Sequence, residues 1–234
     1  MRQTLFGLLC LGLCGQATAE TLPLPESLIA LNSDNGQALL IEAEARADYF
    51  DLAIHFTNQV HPAFCGPASI AMVLNALDVP RPASDMTLGL GMFDQENVFT
   101  PATEAVKPRA RIERAGLTLD ELGRMFEAHS VAASVHHAAD SSLEEFRRAA
   151  IDSIGDAESF VLVNYLRSSL GQERGGHISP LGAYDAETDR FLILDVTRYK
   201  YPPVWVDAAA LFDAMNTPDS DNDDRSRGYL LVVR

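Results

Sequence analysis

The amino-acid sequence predicts an α+β fold, with helices concentrated in the N-terminal half and antiparallel strands in the C-terminal half. Ile70, Val73, Leu74 and Leu77 follow the i, i+3, i+4, i+7 spacing of one buried helix face. Residues 160–166 form a nearly continuous apolar run of strand length. Because the chain has 234 residues and is 47% apolar, it can bury the core of one domain.

A hairpin pattern and several capping motifs define the other elements. Residues 177–184 and 191–196 flank a turn at 185–190, as expected of two paired antiparallel strands. Thr118 opens a capping box, and Ser142 can cap a later helix. The further predicted elements are helices over 35–47, 66–77, 118–129, 143–151 and 207–215, strands at 131–135 and 229–233, an irregular stretch at 48–64, and a loop-rich stretch with short helical pieces at 81–117.

The start of the chain has the layout of a secretory signal peptide. A single positive charge precedes the apolar run at residues 5–13, and Ala17-Thr18-Ala19 places small side chains at a cleavage site. The run is too short to cross a bilayer, and the bulky leucine before Cys14 disfavours processing as a lipoprotein. We therefore expect a signal peptide over 1–19, one catalytic domain over 20–234, and a periplasmic or secreted location.

The charge pattern excludes several classes of partner. Eighteen basic residues against 33 acidic ones give a net charge of −15, which disfavours nucleic acid because phosphates reward clustered Lys and Arg. No apolar run of membrane-spanning length follows the signal peptide, so we expect no membrane contact after its removal. No dinucleotide or phosphate-loop motif occurs, and His136-His137 has no third ligand at a recognisable spacing. We therefore expect no metal site and no cofactor.

The cysteine count draws attention to Cys65. Cys10 and Cys14 belong to the predicted signal peptide, so the exported chain would keep one thiol and no internal disulfide. Such a thiol is either buried and inert or reactive. Pro67 suits the first turn of the following helix, which puts Cys65 at the helix start. There the helix dipole and the free N–H groups would lower the pKa of the thiol.

His177 and Asp195 complete a Cys–His–Asp hypothesis, although each residue alone also fits an ordinary structural role. Among six histidines, only His177 opens a predicted strand beside two glycines, where a substrate backbone could approach. Asp195 ends the partner strand of the hairpin, within two or three residues of facing His177. A buried carboxylate needs a hydrogen-bond partner, and the imidazole N–H can be that partner. Gln59 can donate to an oxyanion together with the backbone N–H of Cys65.

The motifs around these residues resemble phytochelatin synthase, specifically the short bacterial type. The resemblance runs from about residue 24 to the end of the chain. It implies a papain-like fold, with the nucleophile in the helical half and the histidine and aspartate in the sheet half. The motifs are Gln59, Phe64-Cys65-Gly66-Pro67-Ala68-Ser69, Val73-Leu74-Asn75-Ala76-Leu77, Gly176-His177-Ile178-Ser179-Pro180, Ile193-Leu194-Asp195-Val196 and the stretch RYKYPPVWV at 198–206.

The resemblance also implies a reaction on glutathione. Cys65 is the implied nucleophile, His177 the acid and base, Asp195 the orienting carboxylate and Gln59 the oxyanion donor. Cys65 attacks the amide between cysteine and glycine, glycine leaves, and a γ-glutamylcysteinyl thioester forms. Water then gives γ-glutamylcysteine, and a second glutathione gives phytochelatin. Thiophilic ions such as cadmium are expected to act as metal–glutathione substrate complexes rather than as a cofactor.

Two departures from the family pattern favour hydrolysis over polymer synthesis. Phe64 stands where the family often has a tyrosine. The sequence ends at Arg234, without the cysteine-rich C-terminal region of the plant-type enzymes, which is associated with metal-responsive activity. We therefore expect phytochelatin synthesis to be the less efficient of the two reactions.

Charge bears on how an anionic substrate is held. After residue 19 the chain carries 17 basic and 33 acidic residues and thus a net charge of −16, so binding of glutathione depends on local cations. The γ-glutamyl head group needs an acid for its amino group and a bidentate cation for its carboxylate, which we assign to Asp219 and Arg227. Arg198 and Lys200 are expected to hold the carboxylates of the acceptor. The full set of expected contacts is Asp219, Arg227, Arg198, Lys200, Gly176 and Asn164.

Two other functions remain open at this point. A papain-like peptidase could act on other glycine-containing peptides, and a catalytically silent binding protein could retain the same fold. The joint presence of a nucleophile and its base argues against the silent protein. The sequence leaves a monomer and a homodimer open.

Overall fold

The computed structural model describes residues 21–83 and 88–234. The predicted signal peptide, with Cys10 and Cys14, lies outside these residues. In the described ranges no helix is long and apolar enough to cross a membrane.

One antiparallel sheet organises the fold. Within the described residues it has seven strands, and every neighbouring pair of strands is antiparallel. The strands are β1 Ile29–Ala30, β2 Ala132–His137, β3 Ser159–Leu166, β4 Gly176–Asp185, β5 Arg190–Ile193, β6 Val204–Asp207 and β7 Gly228–Val233. Their order across the sheet is β1-β6-β5-β4-β3-β7-β2. The predicted hairpin corresponds to β4 and β5, with Tyr184 opposite Phe191.

Helices cover both faces of this sheet. They are α1 Asp34–Glu42, α2 Ala47–Ala53, α3 Cys65–Ala76, α4 Pro101–Val106, α5 Arg109–Ala115, α6 Leu119–Ala128, α7 Leu143–Ile154 and α8 Ala208–Met215. Apolar side chains of α3 and α6 pack with one set of alternating strand residues, including Leu162 and Leu192. Those of α7 and α8 pack with the other set, including Val161 and Val163. The α+β class predicted from the sequence is confirmed.

Capping residues account for the helices that the sequence predicts best. Thr118 and Glu121 form a reciprocal capping box at α6, and Ser142 caps α7 in the same way. Helix α1 ends at Glu42, short of the predicted residue 47. The Arg46 guanidinium donates to the carbonyl oxygens of Ile41 and Ala43, which satisfies backbone acceptors at the helix end.

Two parts of the chain differ from the prediction. The stretch 48–64, expected to be irregular, contains most of α2, whose Leu52 is fully buried. The N-terminal half also contributes to the sheet, because Ile29 pairs with Trp205 at one edge. The Trp205 indole N–H donates to the carbonyl oxygen of Gly36 at 3.0 Å, which holds α1 against that edge. Packing between distant segments stabilises both α2 and the β1–β6 pairing, and such packing cannot be predicted from a local sequence pattern.

Candidate active site

The thiol of Cys65 lies at the first residue of α3, as predicted. Free N–H groups at the start of a helix stabilise a negative charge there. One turn later, Ser69 Oγ donates to the carbonyl oxygen of Ile178 at 3.4 Å, which docks α3 against β4. Burial alone would raise the pKa of the Cys65 thiol. The hydrogen bond and charge of His177, with backbone hydrogen bonds from Ile178 and Gly66, bring that pKa below its ordinary value.

The imidazole of His177 is buried at the start of β4 and is held from several sides. Its Nε2 lies 2.9 Å from Asp195 Oδ1 and 2.9 Å from Ser179 Oγ, and Tyr165 packs edge-on against the ring. Nε2 therefore carries the proton that it donates to the carboxylate, which leaves Nδ1 for the thiol of Cys65. Burial alone would lower the pKa of His177, but the charge and hydrogen bond of Asp195 raise it overall.

The carboxylate of Asp195 is fully buried just after β5 and binds three partners. Oδ1 accepts hydrogen bonds from His177, from the backbone N–H of Thr197 at 2.7 Å and from Arg167 Nη2 at 2.9 Å. Burial would raise the pKa of Asp195. The positive charges of His177 and Arg167 and these hydrogen bonds hold that pKa well below its ordinary value. The carboxylate is therefore ionised whenever the imidazole needs orientation.

Sequence reasoning missed Arg167, the buried cation beside this carboxylate. Its Nη2 lies 2.8 Å from Asp195 Oδ2, its Nη1 donates to Gln172 at 2.8 Å, and its guanidinium stacks over the ring of Tyr201. An arginine that directly follows the apolar strand run 160–166 was the available signal, because a charge rarely stands there without a partner. Arg167 thus joins the loop after β3 to Asp195.

Gln59 is buried next to these residues, and both ends of its amide are engaged. Nε2 donates to the backbone carbonyl oxygens of His61 and Pro62, each at 2.9 Å. Oε1 accepts from Thr197 Oγ1 at 2.7 Å, and Thr197 in turn binds Asp195. Gln59 therefore ties the loop before Cys65 to the segment that carries Asp195. Its part in binding an oxyanion stays a prediction.

A cleft of about 320 Å³ opens on Cys65 and His177. Four of the predicted substrate contacts lie along it, namely Asn164, Gly176, Asp219 and Arg227. Arg227 Nη2 lies 3.3 Å from Asp219 Oδ1. Arg227 Nε is buried and has no hydrogen-bond partner among the described residues, so one donor is free for a ligand. The cleft thus brings the thiol together with an acid, Asp219, and a guanidinium, Arg227.

Gly176 makes room for this cation. A Cβ at residue 176 would lie 3.4 Å from Arg227 Nε and Nη2, so a larger side chain would crowd the guanidinium. Two further carbonyl acceptors, Thr217 and Pro218, hold Nη1 on its far side. The position of Arg227 is therefore set by these carbonyl oxygens together with the side chains of Thr217 and Asp219.

Arg198 and Lys200 lie elsewhere. The guanidinium of Arg198 stacks over the ring of Phe56, 4.4 Å from its centroid. Lys200 Nζ forms an ion pair with Glu173 at 2.7 Å. Neither side chain lines the cleft, and their contact with an acceptor stays a prediction.

Phe64 and the His136-His137 pair contact other protein side chains and do not belong to the cleft. Phe64 is buried beside Phe99 and beneath the guanidinium of Arg109, and it does not line the cleft. His136 stacks on the ring of Tyr229, and His137 Nε2 lies 3.1 Å from Asp120. No group of three potential metal ligands of the His, Cys, Asp or Glu types occurs in the described parts of the chain.

Comparison with known proteins agrees with this arrangement. The family model described as phytochelatin synthase matches residues 19–229. A relative named glutathione gamma-glutamylcysteinyltransferase 3, from Lotus japonicus, is 33% identical over 92% of this chain and 44% of its own length. One named glutathione gamma-glutamylcysteinyltransferase 1, from Triticum aestivum, is 34% identical over 92% of this chain and 42% of its own.

A fungal relative extends the comparison beyond plants. The protein named glutathione gamma-glutamylcysteinyltransferase, from Schizosaccharomyces pombe, is 31% identical over 89% of this chain and 50% of its own length. The chain therefore spans about half the length of these curated relatives or less. The family model covers nearly all of this chain, and the resemblance to phytochelatin synthase seen in the sequence is confirmed. The chain belongs to the phytochelatin synthase family.

Proposed function

We propose that this protein is a thiol enzyme that cleaves the Cys–Gly bond of glutathione through a γ-glutamylcysteinyl thioester. It releases glycine and γ-glutamylcysteine by hydrolysis and, less efficiently, makes phytochelatin by transpeptidation. The observation that carries this proposal is the cleft that joins a thiol, its imidazole partner, an acid and a bidentate cation. The names of the relatives support glutathione as the substrate. The thiol at a helix start and the histidine on a strand support a papain-like relationship.

The first half of the reaction acylates the thiol. The Cys65 thiolate attacks the carbonyl carbon of the cysteine residue of glutathione, and the carbonyl oxygen becomes an oxyanion. The His177 imidazolium then gives its Nδ1 proton to the glycine nitrogen, the C–N bond breaks, and glycine leaves as an amine. The thioester remains on Cys65, and His177 is neutral.

The second half transfers the acyl group. Neutral His177 accepts a proton from water or from the α-amino group of a second glutathione, and the resulting nucleophile attacks the thioester. The C–S bond breaks, and the thiolate and the imidazolium are restored. Asp195 stays ionised throughout and steadies the imidazolium, because its pKa lies far below neutrality.

The oxyanion needs donors at the start of α3. The backbone N–H of Cys65 is one, and Gln59 is the second in our proposal. To serve in this way, Gln59 Nε2 must exchange one of its two carbonyl acceptors, His61 or Pro62, for the substrate oxygen. The γ-glutamyl amino group would bind Asp219 and its carboxylate Arg227.

Mass spectrometry after incubation with glutathione tests this function. We expect glycine, γ-glutamylcysteine and some phytochelatin, and a γ-glutamylcysteinyl adduct on the peptide that contains Cys65. Cys65→Ser should abolish both the adduct and the products. Repeating the incubation with cadmium shows whether metal–glutathione complexes are better substrates. Glycine release only from larger peptides would instead identify a peptidase, and absence of any turnover or thiol alkylation at neutral pH would identify a silent binding protein.

Location and cofactors complete the proposal. The layout of residues 1–19 supports cleavage after Ala19 and a periplasmic or secreted enzyme. The thiol mechanism requires no resident cofactor. Determining the N-terminal residue of the protein recovered from the extracytoplasmic fraction tests the cleavage, and a start at Glu20 is expected.

A further inference from the structure

The cleft contains a second cation that the predicted contacts do not include. Arg114 lines it, in the last turn of α5, together with Ala115, Gly116 and Leu117. A Cβ at residue 116 would lie 3.8 Å from the carbonyl oxygen of Ala63, and the side chain of Leu117 packs against Gly66. This wall therefore stands beside the residues that flank Cys65. Arg227, in contrast, belongs to the wall formed by Gly176 and β7.

The side chain of Arg114 is exposed and free to bind an anion. It forms no ion pair and no hydrogen bond with any of the described residues, and Asp221 at the same cleft is not paired with it. Arg109, the first residue of the same helix, is fully engaged. It binds Glu96 and Glu113 and stacks over Phe64 and Phe99.

The contacts of Arg109 fix the position of this wall. They tie the first residue of α5 to Phe64, which directly precedes the nucleophile. Gly116 ends α5 with a positive φ of 69°, and its N–H donates to the carbonyl oxygen of Ile112. The backbone beneath Arg114 is thus held at both ends, and only the long side chain is left to adapt.

The proposed reaction gives a cation on this side of the thiol a carboxylate to bind. The acyl part of glutathione ends in the γ-glutamyl head group, which Asp219 and Arg227 are proposed to bind. The leaving part is glycine, whose carboxylate is one carbon away from the departing nitrogen. The two carboxylates of the substrate then match the two arginines of the cleft, Arg114 and Arg227, and its ammonium group matches Asp219.

The acceptor presents the same groups in the same relation. Its attacking nitrogen is the α-amino group of a glutamyl residue, which also carries a carboxylate on the adjacent carbon. Attack on the thioester retraces the departure of glycine, so both nitrogens pass through one position. A cation that holds the carboxylate of the leaving glycine can therefore hold the α-carboxylate of the entering acceptor.

Resting on the proposed function, we infer that Arg114 is a single α-carboxylate subsite that binds first the leaving glycine and then the acceptor glutathione. Water carries no carboxylate, so hydrolysis of the thioester does not use the Arg114 subsite. Arg114 therefore favours transpeptidation over hydrolysis. The other carboxylate of the acceptor remains with the predicted contacts Arg198 and Lys200.

A substrate that lacks the glycine carboxylate tests the first role. We expect Arg114→Gln to raise the KM for glutathione about tenfold, since a charge-assisted pair at an exposed site is lost. The wild type should show a similar rise when the glycine carboxylate is replaced by an amide. With that amide as substrate, Arg114→Gln should have the same KM as the wild type. Arg111→Gln, an exposed arginine of the same helix that does not line the cleft, is the matched control.

Isotope exchange tests the second role. The wild type should incorporate labelled glycine into glutathione through the thioester, whereas glycinamide should react poorly. Arg114→Gln should reduce this exchange and lower the ratio of phytochelatin to γ-glutamylcysteine about tenfold, with Arg114→Lys partly restoring both.

The outcomes separate this inference from the proposed function. If the wild type releases no glycine from glutathione, both are overturned. If it does, but Arg114→Gln behaves like Arg111→Gln, only the inference is overturned. If Arg114→Gln raises the KM equally for glutathione and for its amide, the inference is likewise overturned, because the effect would not depend on the glycine carboxylate.

Discussion

Cys65 and His177 are in buried contact, and each shifts the pKa of the other. The pKa of the thiol lies below its ordinary value and the pKa of the imidazole lies above its own. Both shifts favour the thiolate–imidazolium pair over the neutral thiol and imidazole. In the proposed reaction, this pair attacks the substrate and carries the proton that glycine needs.

The pH dependence of alkylation follows from this pair. As the pH is lowered, we expect the rate at which iodoacetamide modifies Cys65 to fall with a midpoint pH below that of an ordinary thiol, because the pKa of the Cys65 thiol is lowered. Glycine release should also fall at high pH, because the imidazolium loses the proton that it gives to glycine. His177→Ala should move the midpoint of the alkylation profile upward. A wild-type midpoint at the ordinary thiol pKa would contradict the ion pair.

The site residues that sequence reasoning singled out are ones that interrupt a local pattern, and the structure brings them together. Cys65 begins a helix, His177 begins a strand after two glycines and Asp195 ends an apolar run, so each is visible without any knowledge of the fold. Arg167 and Arg114 reach the site from elsewhere on long side chains. Their partners are set by tertiary packing, and a sequence pattern alone does not show where such a side chain ends.

At the scale of elements, the start of α3 is fitted closely to the wall that follows α5. A Cβ at residue 66 would lie 2.6 Å from Leu117 Cδ1 and 3.3 Å from its Cγ. No ordinary Cβ contact is as short as the first of these. Gly66 thus allows the helix that carries the nucleophile to approach the segment that carries Arg114.

Substituting this glycine tests the fit. Gly66→Ala should lower the free energy of unfolding by about 1–3 kcal/mol, because overpacking a buried contact forces neighbours to move. Leu117→Ala in the same chain should recover part of that loss, so the two changes should not be additive in urea unfolding. Gly155→Ala is the control, since a Cβ there has its nearest contact at an ordinary 3.6 Å. Additive losses from residues 66 and 117 would contradict direct packing.

The predicted elements divide according to where their stability comes from. Helices α6 and α7 have capping boxes, and β4 and β5 have a hairpin pattern, so all four were found in nearly the right place. Helix α2 has no side-chain cap and depends on burial of Leu52, and β1 pairs with a strand from the far end of the chain. Both depend on contacts between distant segments, which local patterns do not encode.

At the scale of the whole molecule, one buried acid couples folding to pH. Asp48 in α2 is fully buried, and its two carboxylate oxygens have no hydrogen-bond partner in the described residues. Burial, with the nearby charges of Asp51 and Asp156, raises its pKa to about 9. The unfolded chain has the ordinary value near 3.8, so at neutral pH the folded protein holds a proton that unfolding releases.

Stability should therefore fall as the pH rises between these two values. The contribution of Asp48 is fully present below its unfolded pKa and is lost toward its folded pKa, with a slope of up to about 1.4 kcal/mol per pH unit. Urea unfolding between pH 5 and 8 should show this slope in the wild type. Asp48→Asn should remove it, whereas Asp51→Asn should retain it. The same slope in Asp48→Asn would show that another group takes up the proton.

The order of strands has a consequence for how the chain matures during synthesis. β1 must wait for β6, and β2 must wait for β7, which also separates β2 from β3. One edge of the sheet can therefore close once β6 has been made, and the other only after β7 has been made. Residues 219 and 227 are made just before β7, so a chain cut short before them keeps its thiol but lacks the two side chains proposed to bind the γ-glutamyl group.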